Sequence, residues 1–334
     1  MVRGNPLQKR KKLGRSIFSL SLFAFVLFWF ISLFFVTPPL PISSFLPDFF
    51  HTFTPAASKV LALVVYLMIG YLLIPLNNHF GLIQIKASLQ TSVFFFFVAA
   101  CPYLHQAQVG MITPLLLLGI FHSLFNSYQL KQVSNRNIFR CFLYLGIFSL
   151  ALPQLLFFSP ILLLTATMLQ ALTLRGFFAS LLGYVTPYWF LFAYAYFTQQ
   201  MDFFNAFIKE ITHGYGHYTL MDLPSGVLLM LGFLFLLFLI SSIHFIIHRH
   251  RNKLKIRMFL TAILFITFFF FVFIAVQPIH IGMLLPSILV GNSILMAHFI
   301  ALTKGRWANG FLILATVCLF VIYVYSLWMQ SQSF

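Results

Sequence analysis

The sequence predicts an all-α fold, a polytopic bundle of transmembrane helices, and three observations predict it. Of 334 residues 61% are apolar and only 7% charged, where a soluble chain carries about 25% charged residues. The apolar residues gather into runs of about 20, the length of helix that crosses a hydrocarbon core. The Lys and Arg residues stand in small clusters between those runs. So few charges cannot cover a water-facing surface, so most of the surface faces lipid.

The first run, 16–36, follows Lys9, Arg10, Lys11, Lys12 and Arg15. It is long enough to span, whereas the apolar part of a signal peptide runs about 7–15 residues. Thr37-Pro38-Pro39-Leu40-Pro41 offers no small-x-small cleavage site, so the run is read as an anchor behind a basic tail, 1–15. Pro, Gly and polar punctuation divides the remainder into spans at 59–76, 87–104, 110–129, 138–153, 156–174, 177–198, 225–247, 257–276, 280–302 and 308–330. The doubtful stretch surrounds Pro153 and Pro160. As one helix, 138–174 would run about 55 Å against a core of about 30 Å, so two short spans with a turn are expected.

Charge tests the count of eleven. With the N-terminus inside, 18 of the 20 Lys and Arg residues fall on the inner side, and only Lys59 and Lys209 fall outside. Merging the fifth and sixth spans would move Arg249, Arg251, Lys253, Lys255 and Arg257 outside, against the positive-inside rule. The expectation is one membrane domain, N-terminus inside and C-terminus outside. Pro114, Pro187 and Pro286 are expected to kink their helices, and the Phe runs 94–97 and 268–271 to face lipid.

The net charge of +16 raises nucleic acid as a partner. That would need a continuous basic surface, and these charges are scattered topology signals. The expected partners are membrane lipids, with no nucleic acid and no cofactor. Cys101, Cys141 and Cys318 show neither metal nor disulfide spacing. His213-Gly-Tyr-Gly-His217 matches no strong zinc pattern, because two glycines disfavour the helix that would align the rings. No metal is expected.

All four acids, Asp48, Asp202, Glu210 and Asp222, fall on the outer side. Loop 37–58 holds Asp48 and His51 among Phe49, Phe50 and Phe53. A carboxylate with apolar neighbours has a raised pKa and suits general base work. Loop 199–224, the largest, holds Glu210, His213 and His217, and shorter outer turns add His105 and His280. Asp48 and His51 are the candidate catalytic residues, and His213, His217, Glu210, His105 and His280 the candidate substrate ligands. The competing reading is that polar residues simply gather where water is. Within the second loop, Phe203, Phe204, Phe207, Ile208 and Ile211 share a face opposite Asp202, Asn205, Lys209 and Glu210. That periodicity predicts an amphipathic helix over 201–212, lying in the interface. No acid and no mid-span Lys or Arg is expected at membrane depth, which weighs against ion-coupled transport.

The run from Leu174-Arg175-Gly176 through Gly183, Thr186-Pro187-Tyr188 and Tyr194, with Leu285-Pro286 and Lys304-Gly305-Arg306-Trp307, resembles an uncharacterised family of multi-pass inner-membrane proteins of Bacteroidota. The resemblance implies an inner-membrane location and no particular activity. A looser likeness is to the GT-C polytopic glycosyltransferases, which place an acid in the first outer loop and an outer loop after the seventh span. Asp48 and loop 199–224 stand in those places, although the first loop is shorter and no paired acidic motif occurs. That likeness implies a glycosyl or related transferase using a polyprenyl-phosphate-linked substrate, such as a polyprenyl-linked glycan, at the outer leaflet. The alternatives are a scaffold of the cell envelope, or a flippase or small-molecule transporter.

Overall fold

The structure, a computed structural model, describes residues 6–34, 40, 53–83, 88–129, 134–212, 218–303 and 306–332. Twelve α-helices occur among them: α1 (Pro6–Ser32), α2 (Pro55–Phe80), α3 (Leu89–Ala99), α4 (Thr113–Asn126), α5 (Ser134–Ala151), α6 (Ser159–Met168), α7 (Leu174–Phe197), α8 (Met201–Thr212), α9 (Ser225–His248), α10 (Leu254–Val276), α11 (Ile281–Leu302) and α12 (Arg306–Gln332). Seven helical stretches are long and apolar enough to cross a membrane, in α2, α4, α7, α9, α10, α11 and α12. The chain is a membrane protein built as a helical bundle.

Local chemistry sets the helix ends. Pro55 opens α2, where a missing N–H costs nothing, and the Thr54 hydroxyl accepts from Ala57 N at 3.4 Å. Gly81 closes it in the left-handed region, φ 65°, its N–H donating to Asn77 O at 2.7 Å. Thr173 caps α7 by accepting from Gly176 N at 3.0 Å. The expected division at Pro153 holds: α5 stops at Ala151, a 3-10 segment runs Pro153–Phe158, and α6 follows.

Three expectations need correction. The third run ends as an α-helix at Ala99, and 3-10 turns at Pro102–Leu104 and Val109–Ile112 carry the chain to α4. Pro102 cannot donate a helical hydrogen bond, so the helix yields there. Pro114 lies in the first turn of α4, where proline continues a helix without bending it. Phe94, Phe95 and Phe97, and likewise Phe270 and Phe271, are buried in the bundle, although Phe268 does face outward. Apolar character alone does not distinguish lipid from protein interior, because lipid tails are as apolar as Leu.

Contacts order the helices between two ends. Call the end holding the start of α1 the near end, and the opposite one the far end. At the far end, the Trp29 indole of α1 donates to Lys59 O of α2 at 3.1 Å, and Thr113 of α4 donates to Met283 O of α11 at 2.7 Å. At the near end, His79 of α2 meets Asn126 of α4 at 3.4 Å, and His298 of α11 meets Asn252 before α10 at 3.4 Å. α11 is the axis, and every residue from Ile281 to Phe299 is buried. It packs on α3, α4, α9 and α10.

The tightest pair is α5 with α7, which run in the same direction. Gly183 of α7 lies against the Phe139 carbonyl, and Ser149 meets the Tyr188 hydroxyl at 2.5 Å, which meets that of Tyr184 at 2.6 Å. A Cβ at Gly183 would collide with that backbone oxygen, which cannot swing aside as a side chain does. Gly183→Val is therefore expected to destabilise the protein by about 1–3 kcal/mol. Gly232→Ala, with nothing within 4 Å of the added carbon, should leave the thermal midpoint in detergent unchanged or raised. A Gly183→Val protein melting with the parent would refute this account of the α5–α7 contact.

Candidate far-end polar site

The far end gathers buried polar side chains that the sequence scatters over 221 positions, from Lys59 to His280. Three connectors carry most of them: 100–112 between α3 and α4, 152–158 between α5 and α6, and 277–280 between α10 and α11. Backbone outside a helix still has donors and acceptors to satisfy, and inside a membrane bundle the protein must satisfy them. Ala107 N donates to the Ser58 hydroxyl at 2.9 Å. Gly110 lies against the Gly282 carbonyl with no room for a Cβ. The Ser287 hydroxyl donates to Thr113 Oγ1 at 3.0 Å, locking the first turn of α4 to α11.

At the centre of one side is Lys59, 4% exposed. Its Nζ donates to Ser32 O at 2.6 Å, and Ser32 Oγ donates to Trp29 O at 2.7 Å. The end of α1 and the start of α2 are thus pinned together, and loop 33–58 leaves and returns at this one place. Leu40, within that loop, is buried in the core. The His105 ring stacks on the Trp29 indole, centroids 4.1 Å apart.

His105 is fully buried, and its Nε2 lies 3.2 Å from Val98 O. A carbonyl only accepts, so Nε2 carries the proton and Nδ1 holds a lone pair. That Nδ1 has no hydrogen-bond partner among the described residues. Burial pushes the His105 pKa down to about 3; the Val98 bond opposes it, and the Lys59 charge adds a smaller downward push. The ring is neutral and accepts a hydrogen bond, but it is too weak a base to take a substrate proton near neutral pH. Lys59 brings a cation into the same water-poor place, suited to a phosphate or carboxylate.

The other candidates are spread around this end. His280 is fully buried just before α11, whose Gly282 lies against Gly110 of the 100–112 connector. Glu210 lies half-buried on α8, and its backbone carbonyl accepts from the buried Gln154 at 3.0 Å, tying α8 to the α5–α6 connector. Asp48, His51, His213 and His217 lie outside the described residues. Asp222 caps Thr219, its Oδ2 accepting from Thr219 N at 2.6 Å and Oγ1 at 2.9 Å, and these bonds hold the carboxyl below its usual range. α8 is a helix over the expected residues, with Phe207 buried against Tyr188 at 5.5 Å and Asp202, Asn205 and Lys209 exposed.

Sequence reasoning missed Lys59, Trp29 and Gln154. Lys59 had a signal. It begins the buried stripe Lys59, Ala62, Tyr66, Ile69, Leu73, Leu76 and Phe80, spaced alternately three and four residues apart. The three connectors had none, because apolar runs do not announce where a helix loosens. Among the described residues no group of three His, Cys, Asp or Glu is placed to hold a metal. No family model, no curated protein and no solved structure matches the chain.

A pH dependence follows from His105. Its folded pKa lies below its ordinary 6.5, so the unfolded chain binds a proton that the folded one refuses. Its contribution is fully present above pH 6.5 and is lost as pH falls towards 3, at about 1.4 kcal/mol per pH unit for one proton. His105→Phe keeps a ring on Trp29 and cannot protonate. Denaturation midpoints from pH 7.5 to about 4.5 should fall less steeply for the variant. Parallel profiles would show that His105 titrates normally.

Proposed function

We propose that the chain is an eleven-span inner-membrane protein with its N-terminus inside, its far end at the outer leaflet and α8 lying along the surface. In that setting it acts as a glycosyl or related transferase on a polyprenyl-phosphate-linked substrate, with Asp48 as the base. One observation carries the reading: loop 33–58, which holds Asp48 and His51, is closed at its base by the buried Lys59 bonded to Ser32. A buried ammonium is costly unless it meets an anion or strong acceptors. Set beneath the loop that holds the base, it would take the substrate phosphate, while His105 accepts a hydrogen bond from a hydroxyl. The distribution of basic residues supports the orientation.

A scaffold role is the second reading. It is favoured by the filled interior, where α11 is enclosed along its length and needs no substrate path. Transport gains least support, since the three grooves lined by described residues lie at the rim and each is lined from one half of the bundle.

The tests separate these readings. A reporter fused after Asn252 should be cytoplasmic, and one within 213–221 external. An external signal at Asn252 would end the eleven-span orientation. Polyprenyl phosphate should stabilise the protein in nanodiscs while polyprenol does not, and Lys59→Gln should weaken that effect about tenfold. Asp48→Asn should keep the stabilisation and lose about 10²–10⁴-fold in transfer, read as loss of envelope glycan. Asp202→Asn, on the exposed face of α8, should be tolerated. Normal glycans in Asp48→Asn cells would refute the transferase reading and leave the scaffold as the better account.

A further inference from the structure

The near end carries a different arrangement. A groove of about 470 Å³ opens between α2, α4 and α5, its length lined by Leu72, Leu76 and Leu118 and its end by His79, His122 and Tyr144. That volume lies within the range of small-molecule sites, about 300–1,000 Å³. Asn126 joins the two histidines: its Nδ2 donates to His122 Nε2 at 3.0 Å, and His79 Nε2 donates to its Oδ1 at 3.4 Å. This order gives His122 an Nε2 lone pair and leaves its Nδ1–H as a donor. Arg140 stands one turn before Tyr144 on α5, on the same face, and its charge reaches His122.

The chain supplies no counterion for this cluster. Its four acids are Asp48, Asp202, Glu210 and Asp222; the three among the described residues lie between α7 and α9 at the far end, and Asp48 belongs in sequence to the segment joining α1 to α2. Arg140 and the two imidazoles therefore meet an anion only if another molecule brings it. A free anion would leave the apolar length of the groove empty. A diacyl lipid with an anionic headgroup fills both parts: a chain along Leu72 and Leu118, and a phosphate among the donors.

We propose that this groove is a binding site for an anionic phospholipid, one acyl chain lying between α2, α4 and α5 and the phosphate held by His79, His122 and Arg140. The site is separate from the far-end cluster and does not depend on the transferase reading. A zwitterionic lipid presents the same phosphate behind a cation, which Arg140 repels, so the site discriminates by headgroup charge.

The test uses the full chain in nanodiscs holding equal amounts of phosphatidylglycerol and phosphatidylcholine with identical chains. Native mass spectrometry after mild detergent release should find the glycerol lipid retained about tenfold over the choline lipid, the preference expected from one or two charge-assisted hydrogen bonds. His122→Gln with Arg140→Gln should erase the preference. Both side chains are exposed, so folding should survive, as the thermal midpoint would show. Arg249→Gln with Lys253→Gln, on exposed positions of the other near-end connection, should keep it. In the unmodified protein, phosphatidylglycerol with a photoreactive chain should label residues 72–79 and 115–122 before other segments. Equal retention of the two lipids, a preference surviving His122→Gln with Arg140→Gln, or labelling spread evenly over the bundle would each overturn the proposal.

Discussion

The enclosure of α11 is the constraint from which the rest of the bundle follows. A helix with lipid on one side can leave a hydroxyl or amide near headgroups or water, but one covered along its whole length cannot. Three polar side chains on it are accordingly answered by particular neighbours. Ser287 donates to Thr113, Asn292 Nδ2 donates to Leu234 O at 2.9 Å, and His298 meets Asn252. Those partners lie on α4, on α9 and before α10, so satisfying α11 decides which helices stand beside it and at what height. The cost of an unmade bond at that depth, about 1–3 kcal/mol, exceeds what apolar contact between two helices in lipid supplies in specificity.

The same constraint explains the far end. α3 and α6, at 11 and 10 residues, rise only about 15–17 Å and cannot cross by themselves. Their chains continue as 3-10 turns that pack inward. Non-helical backbone at that depth exposes groups that a helix would have paired, and the structure answers with Ser58, which accepts from Ala107 N, and Thr113, which donates to Gly110 O. A polar layer results, and Lys59 and His105 belong to it. Dry surroundings make their chemistry opposite: the imidazole is kept neutral, while the ammonium takes backbone oxygen from Ser32. An acceptor and a cation side by side is what a phosphate-bearing hydroxyl compound needs.

What was legible in the sequence tracks how each residue reports its surroundings. α8 was readable to the residue, since Phe204 and Phe207 alternate with Asp202, Asn205 and Lys209 at helical period. The break near Pro153 was readable from length alone. The burial of Phe94, Phe95 and Phe97 was not, because in a membrane the periodic contrast between core and surface vanishes. Lys59 misled for the reverse reason. A single charge at the start of an apolar run reads as a boundary, yet it opens the stripe that continues through Ala62 and Tyr66 into the core. Of the candidate site, His105, His280 and Glu210 proved to share one end of the bundle, and the first lies close enough to Lys59 to feel its charge. The near-end groove escaped notice because His79 and His122 are 43 positions apart and each resembles an ordinary helix-end histidine.

The two ends differ most in the sign of what they lack. Among the described residues the acids, Asp202, Glu210 and Asp222, all lie at the far end, so a cation there has acids of its own chain nearby. The near end has none, and its Arg and His side chains are left to the anionic surface of the bilayer. An acid placed beside Arg140 would gain an ion pair and lose that attraction. Excluding acids from one end therefore keeps Arg140, His79 and His122 available to whatever anion lies in the adjoining leaflet.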